Sequence, residues 1–242
     1  MELAQGVHHF PTDPFNWYVI EEAGSLTVVD AGFPGHFRVF ENGLRSIGRE
    51  VKDVAAIILT HAHADHMGFA DQVAKAAKAP VYIHAHDVAA SQSVLQLPWS
   101  ALLSNAWRPF MANTLAQAVW NGVFSMTHVS RPYAFKNGDV LDIPGRPHVI
   151  HTPGHTPGEV AFYLPQQRLL LTGDTIVTRD LYTGRAGVQL TRPRLNHDYA
   201  QARESLHRLK DLGRVKLLPG HGVPWDGEIL EAVSIALRSH SG

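Results

Sequence analysis

One segment constrains this chain more than any other: AAIILTHAHADHMG, from Ala55 to Gly68. It opens with an apolar run of the kind that forms a buried strand. Four potential metal ligands follow within six residues: His61, His63, Asp65 and His66. Alternate side chains of an extended segment point the same way, so His61 and His63 can reach one ion. Since four ligands are more than one tetrahedral ion would take from so short a piece, the spacing suggests two metal ions side by side.

A purely structural interpretation of these residues is also open. Asp65 could be the N-cap of a helix over Met67–Lys78, a common use of aspartate, and a single histidine could be ordinary polar surface. The interpretation weakens when the residues are taken together, because imidazole and carboxylate groups are suitable ligands for zinc and its neighbours. The whole string HAHADH after a buried strand therefore favours metal binding.

Length and composition favour one folded domain over residues 1–242. The chain has 45% hydrophobic residues, enough for a substantial core, and no internal repeat. Its net charge of −1 and its 18% charged residues argue against a nucleic-acid surface, which usually needs a basic excess. Cysteine is absent, so disulfides and thiolate ligands are excluded. The N-terminal residues do not look like a signal peptide, and we expect a cytoplasmic protein without a membrane span.

Hydrophobic periodicity predicts alternating strands and helices. Strands are predicted at Phe15–Ile20, Ser25–Val29, Ala55–Leu59, Pro80–His84, Asp139–Ile143, His148–His151, Glu159–Leu164, Arg168–Leu171 and Val215–Leu218. Helices are predicted at Pro34–Ile47, near Gly68–Lys78, at Asn196–Leu212 and at Gly227–Arg238.

Four of the apolar runs end in a loop with a potential ligand: AAIILT, HVIHTPGH, RLLLTGD and VKLLPGH. The last three carry His155, Asp174 and His221. Sites in open α/β sheets gather at the carboxyl ends of strands. The glycines and prolines beside His155 and His221 fix tight loops that let the backbone pass close to a site. Asp30, in VVDAG, also ends a strand and is either a turn-former or part of the same site.

In these motifs the chain resembles the metallo-β-lactamase-fold hydrolases, specifically the branch of glyoxalase II and the lactonases, and the resemblance covers nearly its whole length. It implies an α/β fold, the four-layer αββα sandwich. It implies one ion held by His61, His63 and His155, and a second held by Asp65, His66 and His221. Asp174 would bridge the two ions, and Asp30 would support the ligands without binding an ion itself.

The chemistry implied is hydrolysis by two divalent ions, with zinc the default and iron or manganese able to use the same donors. A hydroxide shared by two such ions exists at neutral pH and can attack the carbonyl of a small ester, lactone or thioester. Asp65 and Asp174 are the predicted catalytic carboxylates. The alternatives are an enzyme resembling the mononuclear iron persulfide dioxygenases and a non-catalytic metal-binding or sensor protein.

Departures from relatives narrow the choice of substrate. Metallo-β-lactamases usually have Cys or Ser at the position of Asp174, which disfavours antibiotic hydrolysis. Glyoxalase II has a glutathione-holding Cys-x-Lys-like pattern that is absent after Asp174, so a glutathione thioester is doubtful. Acyl-homoserine-lactone lactonases commonly have Tyr three residues after this Asp. Here that residue is Val177, and Tyr182 would have to replace it.

A helical insertion is predicted around residues 91–124, with apolar residues at helical spacing and three tryptophans, Trp99, Trp107 and Trp120. Such a face is too large to leave in water without a partner. We expect it to cap the metal site, with Trp107 a possible substrate contact, or to form a homodimer contact. Covering the core is the structural alternative.

Arginines cluster after Asp174, namely Arg179, Arg185, Arg192 and Arg194. Because guanidinium groups bind carboxylates in a bidentate way, at least one is predicted to steer an anionic or carbonyl-rich small molecule, although solvated surface charges would give the same pattern. Most other histidines are expected to be structural or exposed, with His84, His86 and His151 the first candidates for another role.

Overall fold

The computed structural model describes residues 1–10, 12, 14–93, 103–125 and 128–239. Its strands are β1 (Glu2–Ala4), β2 (Val7–His9), β3 (Tyr18–Glu22), β4 (Ser25–Val29), β5 (Val54–Ile58), β6 (Val81–His84), β7 (Pro132–Phe135), β8 (His148–His151), β9 (Val160–Leu164), β10 (Leu169–Gly173), β11 (Val177–Arg179), β12 (Ala186–Gln189), β13 (Arg214–Pro219) and β14 (Trp225–Glu228). Its α-helices are α1 (Phe37–Ser46), α2 (Ala64–Met67), α3 (Ala70–Ala77), α4 (Val88–Ser91), α5 (Pro109–Trp120), α6 (Tyr199–Ser205) and α7 (Ile229–Arg238).

Two large sheets organise the molecule. The first has the order β1-β2-β3-β4-β5-β6-β7 and the second the order β14-β13-β10-β9-β8, while β11 and β12 form a separate hairpin. Strands β4 to β7 pair in parallel, as do β10 and β13, and the other neighbours in these sheets are antiparallel. Four of the parallel-paired strands lead into the loops that carry the sequence motifs.

The positions of the cores explain why the strand sequences are continuous apolar runs. On β5, Ile57 packs into a core shared with α1 and α3, whereas Ile58 packs into the core between the two sheets. On β10, Leu171 faces that same central core and Leu170 faces a third core shared with α7. Successive side chains of a strand point to opposite faces, so both faces of these central strands are buried. This helix–sheet–sheet–helix layering is the predicted αββα sandwich.

Most predicted elements are found, with shifted ends. Strand β4 has the predicted bounds, and the predicted hairpin around residues 165–167 is formed by β9 and β10. The helix predicted from Asn196 begins after Asp198, whose side chain accepts from the Gln201 amide, and its second half is a 3₁₀ helix, Leu206–Leu212. These ends follow capping and local geometry more than hydrophobic spacing.

One predicted element is wrong, and one helix begins later than predicted. Asp139–Ile143 is not a strand, because Asp139 accepts a hydrogen bond from the Lys136 amide in a turn and only Val140 forms an isolated bridge. The helix predicted from Gly227 begins at Ile229, because the residues before it pair with β13 as strand β14. In both cases a contact made in the folded chain overrides the local pattern.

The predicted insertion is described in part. Helix α4 ends at Ser91 and α5 occupies Pro109–Trp120 with proline in its first turn, while Trp99 lies outside the described residues. Within the ranges that the structure covers, no helix combines the length and the apolar character needed to cross a membrane.

His36 gives the first testable prediction. Its Nδ1 accepts a hydrogen bond from the Phe33 amide at 3.1 Å, its ring stacks on Trp17, and burial lowers its pKa to about 4. The unfolded chain therefore binds this proton more readily, so the stabilisation is present above pH 6.5 and is lost as the pH falls from 6.5 towards 4. We expect a loss of roughly 3 kcal/mol over that window, at 1.36 kcal/mol per pH unit.

The measurement is urea unfolding with a chelator at several pH values, for the wild type and for His36→Asn. The variant should show the shallower fall in stability, because it lacks the titrating ring. Equal slopes for the two proteins would contradict this account of His36.

Candidate metal centre

The first motif lies where the chain turns from β5 into α2. His63 occupies the N-cap position of α2, and Asp65 lies in its first turn without a capping hydrogen bond. The interpretation of Asp65 as a helix cap is therefore wrong. Its Oδ2 lies 3.4 Å from His221 Nε2 and 3.8 Å from His66 Nε2. The turn directs this carboxylate towards the other motif residues.

Seven side chains from four loops converge here in two groups. Ligand atoms of His61, His63 and His155 lie within 4.8 Å of one another, and so do those of Asp65, His66 and His221. The closest pair, His155 Nε2 and His63 Nδ1, are 2.9 Å apart. The convergence follows from topology, because β5, β8, β10 and β13 all deliver their following loops to this edge.

Asp174 lies between the two groups. Its Oδ2 is 3.4 Å from His155 Nε2. Its Oδ1 is 3.5 Å from His66 Nε2 and 3.2 Å from His221 Nε2. One oxygen therefore faces each group, which is the arrangement of a carboxylate that can contact two ions at once.

Several of these atoms lack a hydrogen-bond partner among the described residues. Nε2 of His61, His66 and His221 and Oδ1 of Asp174 are buried without a hydrogen bond. Buried polar atoms are normally paired, so such a set calls for an explanation. Unpaired nitrogen and oxygen atoms that converge on one place are the donor set of a zinc-like ion. The residues present fit a metal centre.

Hydrogen bonds from behind orient the rings. His66 Nδ1 donates to Asp30 Oδ2 at 2.9 Å, and His221 Nδ1 donates to the carbonyl oxygen of Pro14 at 2.9 Å. Each bond holds a proton on Nδ1, so that Nε2 faces the site and is the nitrogen that can bind an ion. Asp30 also accepts from the Thr60 amide at 2.8 Å and has a left-handed backbone with φ of 60°. It therefore contacts the outer side of His66.

Glu159 has a supporting place that the sequence did not suggest. Its side chain is fully buried, its Oε2 lies 3.1 Å from His61 Nδ1, and its Oε1 accepts from the Asp174 amide at 3.0 Å. Burial raises its pKa well above the ordinary value, and the nearby Asp174 raises it further. Glu159 thus lies between His61 and the backbone of Asp174. The only feature of the sequence that could have indicated a role for Glu159 is its position four residues after His155.

Asp87 is a second missed residue. It is 1% exposed and accepts hydrogen bonds from the Ala62 amide at 3.1 Å, the Thr156 hydroxyl at 2.7 Å and the Gly158 amide at 2.7 Å. A Cβ on Gly158 would lie 2.5 Å from its carboxyl carbon, so glycine permits this close approach. Asp87 ties the loop of the first motif to the loop of His155.

The protonation of the cluster reflects burial and charge. Burial lowers the pKa of His155 to about 3, and the neighbouring His63 lowers it further. Burial also lowers the pKa of His66, but its neighbours Asp30, Asp65 and Asp174 outweigh this and raise it to about 10. Burial raises the pKa of Asp174, yet the adjacent His221 and His66 bring it below its usual range. A cation entering the site would displace the proton on His66, so metal binding should release protons.

An apolar cleft opens onto this cluster. It has a volume of about 780 Å³, counting the part open to solvent. His63, Asp65, His155 and Asp174 line its floor. Its walls are apolar apart from Thr114, and are formed by Phe15, Phe33, Met111, Leu115, Ala118, Val119, Val123, Phe124, Leu181 and Leu195. Helix α5 supplies one wall, so part of the predicted insertion borders the site.

The four predicted substrate residues are not among the described residues that line this cleft. Arg179 lies over the ring of Phe110 at 5.7 Å, and Tyr182 is buried. Arg185 is exposed and hydrogen-bonds Gln189, and Trp107 is 73% exposed. Their contact with a substrate stays a prediction.

The sequence of this chain is similar to a known family and to individual proteins of bacteria. A family model described as the metallo-beta-lactamase superfamily matches residues 11–221. The probable metallo-hydrolase YflN of Bacillus subtilis is 29% identical over 240 residues, covering 94% of this chain and 88% of that protein. The uncharacterised protein ML0493 of Mycobacterium leprae is 32% identical over 175 residues, 69% of each chain.

Solved structures of this family are similar to the chain in fold. A metallo-beta-lactamase family protein from Thermus thermophilus matches with a TM-score of 0.73 at 26% identity, over 98% of this chain and 80% of that chain. The B3 metallo-beta-lactamase BLEG-1 matches with a TM-score of 0.66 at 23% identity, over 98% and 100% of the two chains, and this likeness shows the fold alone. Because the family model spans most of the sequence and all of its ligand motifs, the chain belongs to the metallo-beta-lactamase superfamily.

Proposed function

We propose that this protein is a hydrolase that binds two divalent metal ions and cleaves small esters, lactones or thioesters with an apolar acyl group. The observation that carries the proposal is the position of Asp174, with one oxygen towards each of two separate ligand groups. A site for one ion would need neither the second group nor a carboxylate between them.

The ligands are assigned accordingly. His61, His63 and His155 hold one ion, Asp65, His66 and His221 hold the other, and Asp174 contacts both. Bound there, the ions supply a water-derived nucleophile at neutral pH and stabilise the negative charge that forms on an attacked carbonyl oxygen. Zinc is the default metal, and iron or manganese accept the same nitrogen and oxygen donors. The protein's own task is to hold these side chains in place and to exclude bulk water with the apolar walls.

The cleft supports an apolar substrate. Among the described lining residues there is no lysine or arginine, and the only polar side chain outside the ligands is Thr114. An anionic phosphodiester would lose its hydration there without gaining a cationic side chain as a partner. An acyl chain would gain roughly 25 cal/mol for each Å² of apolar surface removed from water. The name of the relative YflN, a probable metallo-hydrolase, agrees with hydrolysis.

The experiment is a substrate panel run with zinc, manganese and iron. It contains aryl esters of acetate, butyrate and octanoate, an acyl lactone, a thioester, a cephalosporin and a bis-aryl phosphodiester. We expect fastest turnover on an acyl substrate, with kcat/KM rising with chain length, and close to two metal ions per chain by elemental analysis. Fastest turnover on the phosphodiester would contradict the acyl assignment. One iron per chain with oxygen consumption would favour a dioxygenase, and no turnover at all would favour a sensor.

A charge placed in the cleft tests the apolar wall separately. Val119 lines the cleft and is 54% exposed, whereas Leu230 is 61% exposed on α7 and lies outside it. Val119→Asp should lower kcat/KM for the octanoyl ester by about 10-fold, equivalent to about 1.4 kcal/mol of transition-state stabilisation, and affect the acetyl ester less. Leu230→Asp is the matched control and should leave both values unchanged. Equal losses on the two esters would contradict an acyl chain lying against Val119.

A further inference from the structure

Three histidines outside the metal centre lie together where the two sheets end. His84 is the last residue of β6 in the first sheet, and His151 is the last residue of β8 in the second. His86 follows two residues after His84 in a short 3₁₀ helix. One ring nitrogen of each lies within 4.8 Å of those of the other two. None of the three belongs to the groups described above.

The three rings are in contact with one another, and one side of the cluster is open to solvent. His84 and His151 stack with ring centroids 4.0 Å apart and an angle of 15° between the planes. His86 meets both rings edge-on, at 5.0 Å and 5.5 Å. His84 is 4% exposed, while His86 is exposed to solvent. The cluster thus has a buried base and an open side for entry.

Hydrogen bonds fix His151 in the form that a metal needs. Its Nε2 lies 2.9 Å from the carbonyl oxygen of Pro157, which can only accept, so Nε2 carries the proton and Nδ1 keeps its lone pair. Its amide donates to Asn137 Oδ1, and Arg208 donates to its carbonyl oxygen. A ligand histidine held by a carbonyl through its other nitrogen is the usual arrangement in metal sites. At His84, the His86 amide donates to Nδ1 over 3.3 Å, a long bond that competes weakly with a cation.

Two of the rings are also held neutral near pH 7, as ligands must be. Burial lowers the pKa of His84 to about 4, and the nearby His151 and His86 lower it further against the opposing effect of Asp139. Burial lowers the pKa of His151 as well. There the Pro157 carbonyl and Asp87 act in the opposite direction, and Arg208 and His86 add to the lowering.

From this geometry we infer that His84, His86 and His151 form a second metal-binding site, which takes one divalent transition-metal ion of the Zn²⁺, Ni²⁺ or Cu²⁺ class. Imidazole is a preferred ligand of these ions. Three imidazoles leave one position of a tetrahedral site for water. The site joins the carboxyl ends of β6 and β8, so a bound ion connects the two sheets at a place separate from the candidate metal centre.

The test is equilibrium dialysis of tag-free protein against rising Zn²⁺, with bound zinc read by elemental analysis. A polyhistidine tag must be removed because it binds the same ions. We expect the wild type to bind one more zinc ion per chain than it already holds at the lowest free zinc concentration. His86→Ala should weaken uptake of that equivalent by at least about 10-fold, with the tight equivalents and the hydrolytic rate unchanged. His207→Ala, at an exposed histidine elsewhere, is the matched control and should bind like the wild type.

A second variant covers the case in which one substitution perturbs the fold. His151→Asn removes a different ligand, and circular dichroism and melting of both variants establish that they are folded. The inference is overturned if the wild type takes up no further equivalent. It is also overturned if folded His86→Ala and His151→Asn both take it up with unchanged affinity.

Discussion

Asp174→Ala is expected to abolish hydrolysis, with kcat/KM lowered by more than about 1,000-fold, and to lower the metal content of the purified protein. The carboxylate faces both ligand groups. In the proposed site its loss would remove a contact from each ion and leave their mutual repulsion uncompensated. The expected loss in kcat/KM corresponds to several kcal/mol of transition-state stabilisation, at 1.36 kcal/mol for each tenfold change in rate. Steady-state kinetics on the best acyl ester, together with elemental analysis, measure both effects.

Asp30→Ala is the informative comparison. Among the proposed ligands, Asp30 contacts only His66, at its outer nitrogen. Loss of such a supporting group typically costs about 10- to 100-fold in affinity or activity, so we expect a loss of that size. Asp226→Ala, at an exposed aspartate paired with Arg214, should have no effect. If Asp30→Ala removed the metal while Asp174→Ala were mild, the roles given to the two aspartates would be reversed.

Asp87→Ala is expected to produce the largest loss of stability. The substitution leaves two buried backbone amides and the Thr156 hydroxyl without their acceptor. Hydrogen bonds to a charged group contribute about 1.5–3 kcal/mol each and are not additive, so we expect a loss of roughly 3–5 kcal/mol. For a chain of this size that corresponds to a fall in Tm of about 10 °C. Thermal melting with a chelator present measures it without a contribution from bound metal.

The conservative variant separates charge from shape. Asp87→Asn keeps one acceptor oxygen, so its Tm should lie between the Tm of the wild type and that of Asp87→Ala. Asp211→Ala, at an exposed position, is the control for loss of an aspartate. If the Asp87→Ala protein had the same Tm as the wild type, the view that this carboxylate holds the two loops together would be contradicted.

The convergence of the motifs could be predicted because it depends on local rules. The apolar run before His61 specifies a buried strand, and the turn after it places the ligands at the strand's carboxyl end. The same rule applies to His155, Asp174 and His221, whose loops follow β8, β10 and β13. The motifs also carry the resemblance to a known family, and that resemblance implied the fold and its four layers.

The supporting residues could not be predicted, because their role depends on contacts between distant segments. Nothing near Asp87 in the sequence indicates that its carboxylate accepts from Ala62 and Gly158. The cleft is another example. The arginines after Asp174 indicated an anionic or carbonyl-rich substrate. The residues of that segment that line the cleft are instead Leu181 and Leu195, and α5, Phe15 and Phe33 form other parts of its walls. Hydrophobic periodicity locates a helix, yet it does not say which surface the helix borders.

The division of the proposed ligands between the two sheets has a consequence for folding. His61, His63, Asp65 and His66 follow a strand of the first sheet, whereas His155, Asp174 and His221 follow strands of the second. Neither sheet alone offers a complete set, so tight binding must wait until the sheets have docked. A bound ion would then act as a reversible cross-link between the halves of the chain. By mass action, every tenfold excess of free metal over Kd would add about 1.4 kcal/mol to the stability of the folded state, so the metal supply would set the fraction of chains in which the two halves are docked.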